Sequence, residues 1–236
     1  MNTRMTSDSL KNGTLKAIFA GKSVPFTRPG TFSAIAKQEV AGQVRAESLG
    51  INGDEQGDKR VHGGLDKAVH CYPWSHYSTW RSELPEVSRL HQCGAFGENF
   101  SVEHLDETKV CIGDVWQIGS AIFEVSQSRQ PCWKLNDHFG VRDMSVRVQD
   151  TLRTGWYLRV VTPGDVRAGE AIEVLRRPYP DWSIARLQAV IRDRTCDPDL
   201  LRQILQLPLP DSARNLFARR LETAIAESWQ GRLEGR

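Results

Sequence analysis

Through the first three quarters of the chain, apolar residues come in short runs separated by turn residues. The runs 14–20, 33–37, 114–118, 121–126, 157–162 and 171–175 are rich in β-branched or aromatic residues and bounded by Gly, Pro or Asp, which predicts short strands. Gly119 and Ser120 separate two of these runs, a two-residue loop that suits a type II′ hairpin. Pro163, Gly164 and Asp165 read as another turn between strands. Many short strands with frequent turns predict a barrel or curled sheet rather than a doubly wound parallel sheet. One helix interrupts them. Pro73 suits its first position, and Tyr77, Trp80 and Leu84 recur on one face.

After Arg176 the pattern changes to a helical period. Pro178 and Pro180 mark a linker, and Ser183 can cap a helix bearing Ile184, Leu187 and Ile191. Asp197 with Pro198 starts a second helix bearing Leu201, Ile204 and Leu205, which Pro208 and Pro210 end. Asp211 or Ser212 can cap a third, bearing Leu216, Phe217 and Leu221, with Arg214, Arg219 and Arg220 on its wet side. The expected architecture is therefore mainly β with α: a β-barrel domain over 14–177 and a small three-helix bundle over 182–236.

Composition narrows the functional classes. With 31 basic against 29 acidic residues the chain is near neutral, so a nucleic-acid polymer or an anionic membrane is not the expected partner. Residues 1–13 are polar, and no run approaches the ~18 apolar residues of a membrane span. The expected location is the cytoplasm, and the oligomeric state is left open between monomer and homodimer. The five cysteines are scattered without a Cys-x-x-Cys pair, which argues against a disulfide framework or a zinc ribbon. His62, His70, Cys71 and His76 match no common zinc spacing, and adjacent strand residues such as His70 and Cys71 point to opposite faces.

Three segments carry candidate chemistry. The first is Gln127 to Asn136, where a strand gives way to a polar turn, then Pro131 and Cys132. If Pro131 opens a helix, the sulfur sits at its N-terminus, where the dipole and the neighbouring Arg129 and Lys134 favour thiolate. Cys71, Cys93, Cys111 and Cys196 lack such paired basic neighbours and read as ordinary small apolar residues. The second, Gly53 to Lys67, is polar and glycine-rich, and Gly63 with Gly64 lets backbone N–H groups approach an anionic or planar ligand. The third, Phe96-Gly97-Glu98-Asn99-Phe100, reads on its own as a turn with a capping Asn.

Taken together, Gly53-Asp54-Glu55-Gln56, Val61-His62-Gly63-Gly64 with Asp66, Tyr72-Pro73 with His76-Tyr77, Phe96-Gly97-Glu98-Asn99, and Arg129 with Pro131-Cys132 and Lys134-Leu135 resemble the stand-alone, YiiM-like branch of the MOSC (molybdenum cofactor sulfurase C-terminal) family. The resemblance covers roughly 14–177, and the tail resembles the three-helix domain that follows it in this branch. It implies a pyranopterin molybdenum cofactor with Cys132 as the metal's protein ligand. It also implies reduction of N-hydroxylated purine bases such as hydroxylaminopurine, with a separate flavin-containing reductase as electron donor. Pyridoxal phosphate binding is implied only at the level of the superfamily. On this reading Arg129, Lys134, Lys67 and Lys37 neutralise the pterin phosphate. The His62 to Gly64 backbone and Glu98, Asn99 and Asn136 hydrogen-bond the pterin or the substrate. Asp54, Glu55, His62 and Asp66 are candidate proton donors to the departing oxygen. Soft thiolate suits a sulfur-rich metal centre. A sulfur or cofactor carrier using a Cys132 persulfide is the alternative, and a cysteine hydrolase pairing Cys132 with His62 or His138 is a third reading.

Overall fold

The computed structural model describes residues 11–57 and 63–235. Seven strands close into a barrel: β1 (Lys11–Ala20), β2 (Val69–Pro73), β3 (Phe100–Glu103), β4 (Val115–Ile118), β5 (Ala121–Ser128), β6 (Trp156–Thr162) and β7 (Ala171–Arg176). Their order around the barrel is β1-β3-β2-β6-β5-β4-β7, and β7 pairs back to β1. Every neighbouring pair is antiparallel except β2 with β3. That parallel pair needs a crossover, supplied by helix α1 (Ser75–Glu83) and a 3-10 turn at Ser88–His91.

Inward-facing residues follow the period of two expected of strands. Leu15, Val69, Cys71, Phe100, Val102, Trp116, Phe123, Val125, Trp156 and Leu158 are buried in one apolar cluster. Trp116 and Trp156 meet edge to face at its centre, their centroids 6.0 Å apart. The same cluster continues into the C-terminal helices α4 (Ile184–Arg192), α5 (Pro198–Ile204) and α6 (Asp211–Thr223) through Leu187, Leu201, Ile204 and Phe217. A second cluster packs α1, α2 (Lys134–Phe139) and α3 (Met144–Asp150) on the outer face of β2. In it Tyr72 stacks on Phe96 at 4.2 Å, and Trp80 donates to the Tyr72 hydroxyl at 2.7 Å. Each such aromatic contributes on the order of 2–3 kcal/mol by burial.

Most expected elements form, with instructive departures. The 119–120 loop joins β4 to β5, and of its two residues only Gly119 has positive φ, as a type II′ turn requires. Pro73 ends β2 instead of opening α1. The run 33–37 is mostly a loop: only Phe32–Ser33 pairs, with Val24–Pro25. Local bonds from Ile35 N–H to the Ser33 hydroxyl and from Lys37 N–H to the Ile35 carbonyl replace a ladder there. Gly164–Arg167 is a strand, paired with Gln43–Glu47 beside the barrel, and not a turn. Ser183 and Asp197 cap α4 and α5 as expected. Helix α6 starts instead on the Pro210 carbonyl, which accepts from the N–H groups of Ala213 and Arg214. Arg220 is 1% exposed and not on a wet face. It donates to the carbonyls of Val190 and Ile191 and pairs with Glu227 at 2.8 Å. A further short helix, α7 (Gln230–Glu234), closes the chain. No helix among the described residues is long and apolar enough to cross a membrane.

Candidate functional site

On the outer face of the barrel wall four segments converge on a cleft of about 640 Å3, its open mouth included. The floor is the cross-strand pair His70 on β2 and Tyr157 on β6, whose rings lie 5.1 Å apart. The walls are the Ser33–Lys37 loop, the Asp54–Gly57 loop, Phe96 to Asn99, and the connection from β5 to α2 that carries Arg129 and Cys132. Lys67 and Lys134 complete the lining.

Eight residues expected from the sequence meet here: Lys37, Asp54, Glu55, Lys67, Asn99, Arg129, Cys132 and Lys134. Several are already engaged. The Asp54 carboxylate accepts from the Gly21 N–H at 2.8 Å, from the Asn99 amide at 2.8 Å and from Lys37. Burial lowers the Lys37 pKa, and Asp54 opposes that. Asn99 also accepts the His70 N–H at 3.0 Å and donates to the Phe19 carbonyl at 3.2 Å. This network ties three cleft walls together, and its members lock the walls before any ligand arrives. Lys134 donates to the Phe32 carbonyl at 2.6 Å. Glu55 accepts from the Ser23 N–H at 3.0 Å and pairs with Lys22 at the rim.

Arg129 is different. Its side chain is buried, 7% exposed, yet its Nη1 has no hydrogen-bond partner, and among the described residues no carboxylate pairs with it. An unpaired buried guanidinium is costly unless something completes it. The His70 Nε2 beside it is also unpartnered. Burial, with the Arg129 charge adding to it, pushes the His70 imidazole down to about 3, so the ring is neutral near pH 7. Two buried polar atoms without partners therefore belong to residues lining a cleft that also holds three lysines and two carboxylates. That arrangement suits a ligand bringing anionic oxygens.

Cys132 is part-exposed and lines the same cleft. The helix, however, begins three residues later than the sequence suggested. Trp133 is the N-cap and α2 runs from Lys134, so the sulfur precedes the helix instead of capping it. Its positive surroundings come from side chains, with Arg129 and Lys134 on the cleft side. Arg232 stands behind; burial lowers its pKa to about 10, and Cys132 and Glu227 oppose that.

Other expected residues lie elsewhere for clear reasons. Asp66 pairs with Arg159 at 2.8 Å, and Arg159 in turn holds Glu124, so this carboxylate fastens a second 3-10 turn, Leu65–Lys67, to β6. Glu98 is fully buried and accepts from the Tyr77 hydroxyl, the Gly94 and Phe96 N–H groups and the Ser101 hydroxyl. It shapes the 94–99 loop and touches no cleft. Asn136 donates to the Leu233 carbonyl and accepts the Ser145 N–H. Gly63 and Gly64 do not line the cleft; Gly64, at φ 98, precedes the 3-10 turn that carries Lys67. His62 lies outside the described residues. His138 packs against Phe139, away from the cleft, and is held near pKa 4 by burial and Arg89. Sequence reading missed His70, Tyr157 and Gln56 as cleft residues. Alternation along β2, which sends Val69 and Cys71 into the barrel and His70 and Tyr72 outward, is the signal that exposes His70.

Among the described residues no three His, Cys, Asp or Glu side chains gather as a metal cage. A metal held at Cys132 has to bring most of its ligands with it, as a cofactor does.

Comparison with known proteins agrees with the fold. Residues 58–173 match the MOSC domain and residues 182–224 the YiiM-like, 3-alpha helix domain. Protein YiiM of Escherichia coli is 38% identical over 93% of this chain and 97% of its own length. A protein named Reductase from Gibberella moniliformis is also 38% identical over 93% of this chain, which spans only 39% of that protein's length. The crystal structure of YiiM from Escherichia coli aligns with a TM-score of 0.79 and 30% identity, over 94% of this chain and 98% of that one. With the motif order, the barrel, the helical tail and these likenesses in agreement, the chain belongs to the YiiM-like branch of the MOSC-domain family.

Proposed function

We propose that the cleft binds the pyranopterin molybdenum cofactor through Cys132 and that the protein reduces N-hydroxylated purine bases or their analogues. One observation carries the reading: a buried, unpaired Arg129 guanidinium shares a cation-rich cleft with a part-exposed thiol. Arg129, whose Nη1 has no hydrogen-bond partner, is the residue to hold the cofactor's phosphate, and Lys37, Lys67 and Lys134 add positive charge to the same lining. Cys132 provides the soft protein ligand. Bound there, the cofactor supplies the two-electron oxygen-transfer chemistry that converts an N–OH group to N–H and water. The neutral His70 ring and the Tyr157 ring form the floor against which a planar ligand lies. Glu55, which faces the cleft and reaches solvent at its rim, is placed to pass a proton; Asp66 is not.

The two electrons come from a separate flavin-containing reductase, because the sequence carries no flavin or nicotinamide fingerprint. The relative named Reductase, most of whose length lies outside the aligned part, supports a reductase partnership. The test is metal analysis and hydroxylaminopurine reduction, with a flavin reductase added, of protein made in a cofactor-competent host. Wild type is expected to carry close to one molybdenum per chain, and Cys132→Ser to lose metal and activity together. Full activity in Cys132→Ser overturns the reading. A sulfur adduct on Cys132 without molybdenum favours the persulfide carrier instead.

A further inference from the structure

The last dozen residues lie beyond both domain matches, which end at 173 and 224. They are nonetheless tied to the loop that presents Cys132. The Arg232 guanidinium donates to the Pro131 carbonyl, and the Trp133 N–H donates to the Arg232 carbonyl at 2.8 Å. Both neighbours of Cys132 are thus held by one residue of α7. The tail is secured in turn. The Leu233 carbonyl accepts from Asn136 at 3.0 Å and from the Ser145 hydroxyl at 2.9 Å, and Arg28 donates to the carbonyls of Glu234 and Gly235. Arg28 also lies 3.8 Å over the Trp133 ring.

The charge on Arg232 is not cancelled locally. Its side-chain partners are neutral, the Pro131 carbonyl and the Gln149 side-chain oxygen, and among the described residues no carboxylate forms an ion pair with it. Glu227, an acid of the tail whose charge reaches Arg232, is occupied by Arg220 and by Trp229 Nε1, each at 2.8 Å. A guanidinium fixed by two neutral acceptors projects its field on what lies next to it, and that is the residue between Pro131 and Trp133.

We propose that Arg232, carried in by the C-terminal helix, is a positioning residue of the Cys132 site: it fixes the loop that presents the sulfur and supplies positive charge from behind. The proposal rests on Cys132 being the working thiol. It makes the tail part of the site and not a cover over the barrel.

The test uses the full-length apo protein and compares alkylation of Cys132 by iodoacetate, an anion, with that by neutral iodoacetamide, each followed by peptide mass spectrometry. The ratio of the two rates reads local charge. A loosened loop speeds both reagents alike and leaves it unchanged. Arg232→Gln keeps a donor for the Pro131 carbonyl but no charge, so the ratio is expected to fall about fivefold at low salt, the order of one nearby unit charge in a partly wet site. Arg232→Lys is expected to restore most of it. Gln149→Glu sets a carboxylate against the guanidinium without altering the tail and is expected to lower the ratio similarly; it decides the matter alone if Arg232→Gln does not fold. A ratio unchanged from wild type in the folded variants overturns the proposal. The measurement needs no metal, so it separates a failure here from a failure of the molybdenum reading.

Discussion

Arg129→Met separates a residue kept for folding from one kept for binding, because the two roles predict opposite signs. Methionine preserves much of the aliphatic stem that arginine packs against the cleft wall. Removing the guanidinium relieves a buried, unpartnered donor, worth about 1–3 kcal/mol to the apo protein. It also removes the contact with the Tyr157 hydroxyl, whose pKa burial raises and Arg129 lowers; that loss is about 1 kcal/mol. The net expectation is a variant at least as stable as wild type, with a midpoint of thermal unfolding unchanged or a few degrees higher. Binding moves the other way. A charge-assisted bond to a phosphate oxygen contributes about 1.5–3 kcal/mol, so affinity for an anionic ligand is expected to fall roughly 10- to 100-fold. Thermal scanning of both apo proteins with and without inorganic pyrophosphate reads the two effects together, since a ligand that binds only the folded state raises the midpoint. A variant that melts well below wild type yet keeps the full pyrophosphate-induced shift would refute the reasoning.

Glu98→Gln tests the assignment of that carboxylate to the loop scaffold: its amide nitrogen has to face an N–H or hydroxyl donor. The urea midpoint is expected to drop by the equivalent of about 1–3 kcal/mol, and a silent substitution contradicts the four-bond description. Asp66→Asn breaks a half-exposed pair with Arg159, so stability is expected to change by no more than about 1 kcal/mol and molybdenum content to stay within twofold of wild type. Loss of metal in that variant restores Asp66 to the site. For pH, His70 and His138 stay neutral in the folded protein down to about 3 and about 4, whereas in the unfolded chain they take up protons near 6.5. The unfolded state binds more protons across that window, so stability is full above about 6.5 and falls as pH drops toward 4. Guanidinium unfolding at pH 7 and pH 5 checks it, with equal midpoints counting against two buried neutral imidazoles.

The barrel was legible where strands alternate cleanly. The runs around Trp116, Phe123 and Leu158 place their apolar residues at a spacing of two, and that spacing fills the interior. Legibility failed where a local bond competes with the ladder, as at Ser33 and Ile35, or where a run pairs beside the barrel, as at Gly164–Arg167. At the site, the cations announced themselves by clustering around Cys132, but sequence alone could not say which were already spent. Lys37 with Asp54 and Asp66 with Arg159 are 17 and 93 residues apart along the chain, distances at which pairing is set by topology. The same limit hid Arg220, which looked like part of a wet helix face and instead serves three carbonyls and a carboxylate.

The partners of each charged group bear on the preference for anions proposed for the cleft. Its carboxylate at the base, Asp54, is consumed by a lysine, an amide and a backbone N–H, so it adds rigidity without repelling an anion. Arg129 is left over in the cleft lining and Arg232 next to the loop that carries the sulfur, neither ion-paired with an acid among the described residues. A rigid frame that neutralises its own acids and leaves two guanidinium groups uncompensated around one thiol holds positive potential in place before ligand arrives. On the proposed function, that preorganisation favours binding of an anionic, sulfur-liganded group in this cleft. It also requires the residue from position 232 as much as those of the barrel.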